Sequence, residues 1–159
     1  MSKLANVVQD FLDQMEWHES MSTKEDGSIQ LMVTLDIAHQ KCQTYIETRE
    51  EYQWFLVFIY FPFKAAPENV AETCLLINQI NNGMRCGTLY LDSDSNHIVF
   101  RAVIDIEGCE PNSKIIDNML RSGNQLISRW MSAFAMVAVG STSAAQAIAA
   151  IDAPKSASK

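Results

Sequence analysis

The residues best placed to do chemistry are an acidic run, three histidines and four cysteines. In the run Asp92-Ser93-Asp94-Ser95-Asn96, oxygen-bearing side chains alternate as in a calcium loop. Such a loop needs glycine at its sixth position for the bend and glutamate at its twelfth as a bidentate ligand. Counted from Asp92, those positions hold His97 and Val103. The run therefore reads as a polar hairpin turn, which Asp, Ser and Asn favour. His18, His39 and His97 are scattered, and a catalytic dyad would have to be assembled by the fold. Cys42, Cys74, Cys86 and Cys109 form no C-x-x-C pair, so the tight turn that usually supplies two zinc ligands is missing. They are expected to be reduced, buried apolar residues of a cytoplasmic protein. Their spacing neither supports nor excludes a disulfide.

Other polar clusters read as structure. Glu47, Glu50 and Glu51, and likewise Glu16 and Glu19, are expected on solvated turns. Asn82-Gly83 and Cys86-Gly87 lack the spacing of a phosphate-binding loop. Asn78 and Asn81 lie at a helix end, where an asparagine can bind a ligand carbonyl or tie the helix to a neighbouring strand. The second role explains the residue type without a ligand. No cofactor, no metal and no catalytic residue is expected.

Charge narrows the partners. The chain of 159 residues carries a net charge of −7, and its first 63 residues hold four basic against ten acidic side chains. Replacing the counterions of a phosphate backbone takes Lys and Arg, so nucleic acid is disfavoured, as are anionic membranes. The N-terminal apolar residues are spaced helically and interrupted by Asp10 and Asp13, unlike a signal peptide. Trp130–Ile151 contains no charge, but it is mostly alanine and includes Gly140-Ser-Thr-Ser143, a poor membrane span.

These residues must be positioned by a small set of elements. Leu4, Val7, Val8, Phe11, Leu12 and Met15 predict a helix capped by Ser2. Lys24–Gly27 predicts a turn. Ile29, Leu31, Val33, Leu35 and Ile37 then alternate with polar neighbours, predicting a strand with one core face. A strand over about 41–47 follows. The wholly apolar run Trp54–Phe61 predicts a strand covered on both faces, ending at Pro62. Val70, Ala71, Cys74, Leu75, Ile77 and Asn78 predict a second helix, stopped by a left-handed cap at Asn82-Gly83. Cys86–Asp92 and His97–Glu107 predict a strand pair. Ile115, Ile116, Met119, Leu120, Leu126, Ile127, Trp130, Met131 and Phe134 predict a long last helix, from Ser113 to about Val137. The fold class is α+β, with an antiparallel sheet of five or six strands in the order α-β-β-β-α-β-β-α. One domain is expected over 1–139, followed over 140–159 by an Ala/Ser-rich tail that is flexible or briefly helical.

Leu76-Ile-Asn78-x-x-Asn81, Leu89-Tyr-Leu-Asp92-x-Asp94, Ile98-x-Phe100-Arg101-x-x-Ile104 and the Gly108 turn before a long helix resemble the YbjN family. That family is described as a bacterial sensory transduction regulator. The resemblance covers about Trp17–Val137 and is strongest from Leu75 onward. The pair Gly108-Cys109 departs from the family's double glycine. The resemblance implies a fold similar to type III secretion chaperones, and homodimerisation; it carries over no catalytic residue.

Met32, Val99 and Val103 are apolar on the strand face opposite the main core stripe, and Met131 is an adaptable apolar residue on the stripe of the last helix. Part of one sheet face, or of the last helix, is therefore expected to meet a partner. These four positions are the candidate dimer or partner surface. The reading that follows is a non-enzymatic, cytoplasmic protein-binding module, regulatory or chaperone-like, with a second copy or a polypeptide client as partner. The alternative is a regulatory domain that senses a small ligand between sheet and last helix.

Overall fold

The helical spacing at the N-terminus gives α1 (Lys3–Met15), whose Ser2 cap accepts the Ala5 amide at 3.2 Å. The turn at Lys24–Gly27 joins a two-residue strand β1 (Ser22–Thr23) to β2 (Ile29–Ile37). Strands β3 (Gln40–Arg49) and β4 (Trp54–Lys64) follow, then α2 (Val70–Asn82), β5 (Thr88–Leu91), β6 (His97–Asp105), α3 (Lys114–Ala138) and α4 (Ala144–Asp152). The computed structural model describes residues 2–152. The six strands form one antiparallel sheet in the order β1-β2-β3-β4-β6-β5, as the alternation predicts. Pro62 lies at the irregularity where β4 slips against β6, between Tyr60 and Lys64, because proline cannot donate to the ladder.

A single core sits between the sheet and the helices. Leu31, Ile46, Val57 and Ala102 form one cross-strand row and are all buried. Onto this face packs α3, through Ile116, Ile127 and Phe134, with α1 and α2 beside it. The closest approach is at Gly123, where a β-carbon would fall 2.5 Å from Ile59 Cδ1 and 2.8 Å from Phe100 Cδ1. The glycine lets the helix backbone reach the sheet.

Several expectations are corrected. The run Trp54–Phe61 is covered on one face only: Phe55, Val57 and Ile59 are buried, while Trp54, Phe58 and Tyr60 are half-exposed. In α2 the inward residues are Thr73, Leu76, Ile77 and Ile80, so Cys74 and Leu75 face outward, about a quarter-turn from the expected stripe. Gly83 is right-handed, with φ −96°. The left-handed glycine of this segment is Gly87, at φ +73°, where a β-carbon would meet the Phe100 ring at 2.5 Å. Only Cys42 is buried; Cys74, Cys86 and Cys109 are exposed free thiols. Finally, α3 ends as expected near Gly140, whose amide bonds Val137 while Ser141 bonds back to Met136. The tail expected next, flexible or briefly helical, contains α4, docked on α2 and α3; residues 153–159 lie outside the described residues.

Candidate functional site

All four helices pack on one side of the sheet, so its other face is bare. Outward side chains of four adjacent strands make one row, Met32–Tyr45–Phe58–Arg101. Met32 is 54% exposed, and Tyr45 and Phe58 are half-exposed. Around the row the Tyr45 and Tyr60 rings meet edge to face at 5.6 Å. Arg101 lies over the Tyr90 ring at 5.4 Å. Tyr52 and Trp54 stack at 4.9 Å at one end, beside Val103, which is 44% exposed. Desolvation is the first cause that raises the phenol pKa of both Tyr60 and Tyr90. Charged pairs lie beside this row, Asp36 with Lys41 at 2.8 Å and Arg49 with Glu47 at 2.9 Å. Glu47 is not on the solvated turn expected for it but within β3, 8% exposed, in the next cross-strand row with Leu56 and Val103.

Of the four residues expected to form a partner surface, the structure places Met32 and Val103 on this open face. It does not bring them together with the other two. Val99 points to the same side but is fully buried, flanked by its larger cross-strand partners Tyr60 and Tyr90. Met131 is 8% exposed and belongs to the core under α3. Sequence reasoning missed Tyr45, Trp54, Phe58, Tyr60 and Tyr90. Their signal was present: outward positions in β3, β4 and β5 are aromatic, and aromatic side chains with polar ends tolerate a half-wet surface.

The sheet's two edges differ. β1 pairs only with Ile29 and Gln30 of β2, so β2 from Leu31 to Ile37 has no strand on its outer side, whereas β5 is a short edge of four residues. At β5, the Asn81 carboxamide accepts the Leu89 amide and donates to the Leu89 carbonyl, both at 2.8 Å. One side chain thus satisfies the free edge, which is the structural role expected for an asparagine here.

The acidic run is the turn that its residue types predict. Asp92 Oδ1 accepts the amides of Asp94 and Ser95 at 3.1 and 2.8 Å and the Ser95 hydroxyl at 2.8 Å. These bonds, Ser95 first, hold the Asp92 carboxyl below its usual pKa. Ser95 Oγ also lies 3.0 Å from Nδ1 of His97. Serine is thus the middle member of the chain, with its proton given to the carboxylate. A nucleophile relay needs histidine in the middle, so this trio locks a turn. Desolvation, then Lys64, lowers the His97 pKa. Cys42 is held inert, its thiol pushed up to about 11 by burial.

Two clefts bear on ligand binding. One of about 280 Å³ lies where the sequence reading places a pocket, between β6 and α3, lined by Ala102, Ile104 and Met119. A larger one, of about 600 Å³, opens among α2, α3 and α4 instead. Among the described residues, no group of three His, Cys, Asp or Glu side chains could hold a metal, and no helix is long and apolar enough to cross a membrane.

The comparisons with known proteins agree with this geometry. No curated protein matches the chain. Among solved structures, the chain is similar to the crystal structure of YbjN, a putative transcription regulator from E. coli. The TM-score is 0.51 at 13% identity, covering 77% of this chain and 84% of that one; at that identity the likeness concerns the fold. A family model, YbjN, described as "Putative bacterial sensory transduction regulator", matches residues 4–136. That match takes in every element from α1 through all but the last two residues of α3, and the chain belongs to the YbjN family.

Proposed function

We propose that the protein is a non-enzymatic regulatory module of the cytoplasm that works by binding protein through the bare face of its sheet, first of all a second copy of itself. The observation that carries this reading is the row Met32–Tyr45–Phe58–Arg101 with its aromatic neighbours, a mostly apolar patch with the exposed Asp36–Lys41 pair at its margin. Protein interfaces have that anatomy, with aromatic residues, Met and Arg enriched at their centres. Size supports it too. Four long strands at about 4.8 Å spacing and about 3.3 Å per residue give a face of roughly 20 by 30 Å. That approaches the roughly 800 Å² that each partner gives to a standard interface. A flat face with a row crossing four strands can pair with itself across a two-fold axis. A client polypeptide would compete for the same face or add to the uncovered edge of β2. Ligand sensing between sheet and last helix is the second reading: clefts of about 280 Å³ beside β6 and about 340 Å³ beside Leu35 of β2 border α3, at the lower end of the range of small-molecule sites.

Sedimentation equilibrium tests the proposal. A dimer of the 17.8 kDa chain is expected at micromolar concentration, and Phe58→Asp should return it to monomer. A wild type that stays monomeric and captures no stoichiometric polypeptide in a pull-down read by mass spectrometry would overturn it.

A further inference from the structure

The uncovered edge of β2 presents its backbone in a regular order. Ile29 gives its amide to Thr48 Oγ1 of β3 at 2.9 Å, while the Gln30 carbonyl accepts the Ser22 hydroxyl of β1 at 3.0 Å. Backbone groups alternate in direction along a strand. Those of Leu31, Val33, Leu35 and Ile37 therefore turn to β3, and those of Met32, Thr34 and Asp36 turn outward, beyond the reach of β1. The segment His18–Met21 would continue β1 along this edge, but among the described residues it makes no backbone hydrogen bond there. Its start is fixed elsewhere. The Trp17 amide bonds the Leu12 carbonyl at 3.0 Å, and the Trp17 ring meets Phe11 edge to face at 5.5 Å. Leu31–Ile37 holds no proline or lysine, and its pairing with β3 runs without a bulge; these are devices that blunt an edge. The β5 edge, by contrast, is sealed by Asn81.

Leu31–Ile37 also complements itself. Its middle residue is Thr34, one of those whose backbone groups turn outward. Two copies set antiparallel about a two-fold axis at Thr34 exchange both hydrogen bonds there, and both again between Met32 and Asp36. On the helix side this register sets Leu31 against Ile37 and Val33 against Leu35, all apolar. On the bare side Thr34 meets Thr34, a favourable cross-strand pair. Asp36 is the only charge in the stretch, and it faces Met32 rather than its own mate. No like charges are opposed, in a chain whose net charge of −7 makes such opposition a common obstacle to self-pairing. A cleft of about 340 Å³ lined by Phe11, Met15, Trp17 and Leu35 leaves space beside the strand on the helix side.

We infer that the β2 edge pairs with the β2 edge of a second copy, joining two six-stranded sheets into one and laying their bare faces side by side. This interface is separate from the face pairing proposed above and does not rest on it. Its two-fold axis passes through the sheet, whereas a face-to-face axis lies along it, so both can act together in a tetramer. Edge hydrogen bonds replace bonds to water and bury little apolar area. Edge pairing is therefore the weaker of the two and acts at higher concentration.

The Phe58→Asp chain isolates the edge, because Phe58 lies two strands away from it. Sedimentation equilibrium should find this chain monomeric at micromolar concentration and dimeric towards millimolar. Adding Thr34→Pro removes the central outward amide without touching a bond to β3, and should weaken that dimer about tenfold or more. Amide hydrogen exchange, followed by NMR, needs no proline. Exchange at Met32, Thr34 and Asp36 should slow several-fold as concentration rises, while Leu31, Val33 and Leu35 stay protected throughout. The wild type gives the same readout should Phe58→Asp not fold. Protection of the outward amides at every dilution would mean that His18–Met21 closes the edge from within, and would overturn the proposal. Outward amides that stay open at every concentration would leave the edge to a strand of another protein, and would overturn it as well. The face reading fails separately: wild type and Phe58→Asp would then associate alike, with the edge amides still responding to concentration.

Discussion

Two neighbouring rows of one sheet meet opposite fates. Leu31, Ile46, Val57 and Ala102 point to the helices and are sealed. One residue along each strand, Met32, Tyr45, Phe58 and Arg101 point away and are left wholly or half in water. Apolar character alone does not separate the two faces within β4, where Phe55 and Val57 alternate with Leu56 and Phe58. Nor does residue shape, since Phe55 is sealed and Leu56 points outward; the helix layer does. The sealed row packs under α3, whereas the bare row carries the Tyr45 and Phe58 rings, a thioether and a guanidinium. Such side chains keep contact with water while offering area to a partner. A strand that is apolar throughout is thus covered on both faces only when a second layer exists to cover it.

The largest effect should come from breaking the sealed row. Ile46 is fully buried, so Ile46→Ala leaves a cavity and should cost about 4 kcal/mol in urea denaturation. Next comes the contact that brings α3 down on that face. Gly123→Val places carbon atoms inside the 2.5 Å approach to Ile59, and should cost about 3 kcal/mol by overpacking. Loss of less than about 1 kcal/mol from either change would mean that the helix layer can lift from the sheet. On the bare row the sign of the comparison inverts. Met32→Asp and Val103→Asp should move stability by no more than about 0.5 kcal/mol. Self-association should weaken about tenfold or more, because a pairing face would bury an unpaired charge. Equal sedimentation of variants and wild type would detach these residues from assembly.

How much of this was legible in the sequence follows from periodicity. The alternating strand over Ile29–Ile37 and the stripe of α3 are readable because one face of each is polar. In α2 the apolar pattern points about a quarter-turn off the true stripe, because Leu75 and Cys74 are apolar yet exposed while Thr73 is buried, its hydroxyl bonded to the Asn69 carbonyl at 2.9 Å. A satisfied hydroxyl hides well in a core, and no apolar count detects it. The left-handed glycine lies four residues beyond Gly83, because glycine marks several turns here and only contact with Phe100 singles out Gly87. Asn81 is legible as a tie to a strand, since its type has a local explanation; its role as an edge seal needs the topology. Half of the expected partner surface fails for the opposite reason. Val99 is off-stripe but taken up by cross-strand rings, and Met131, on the stripe of α3, is taken up by the core. The helix α4 could have been read from Ser143-x-x-Gln146, a capping box that the alanine-rich composition obscures.

The smallest effect is a pH dependence at the end of the bare face. His97 meets the Tyr60 ring edge-on at 5.8 Å, and desolvation together with Lys64 lowers its pKa below 6.5, against a weaker opposing pull from Asp92. The folded chain therefore binds this proton less well than the unfolded one. The contribution to stability is fully present above about pH 6.5 and is lost as pH falls through the lowered folded pKa. Asp92 also has a lowered pKa, but its window opens only below 3.8, so the two do not overlap. Wild type and His97→Gln should therefore converge in stability as the pH falls from 7.5 to about 5. The imidazole can be followed directly by its NMR titration, which should have a midpoint below 6.5. If the bare face pairs with a second copy, burial at His97 deepens and the midpoint should fall further as protein concentration rises. A midpoint that ignores concentration while the chain dimerises would place the interface away from this end of the sheet. A midpoint above 6.5 would show that Asp92 governs the ring, and that this end of the face is wetter than its aromatic neighbours suggest.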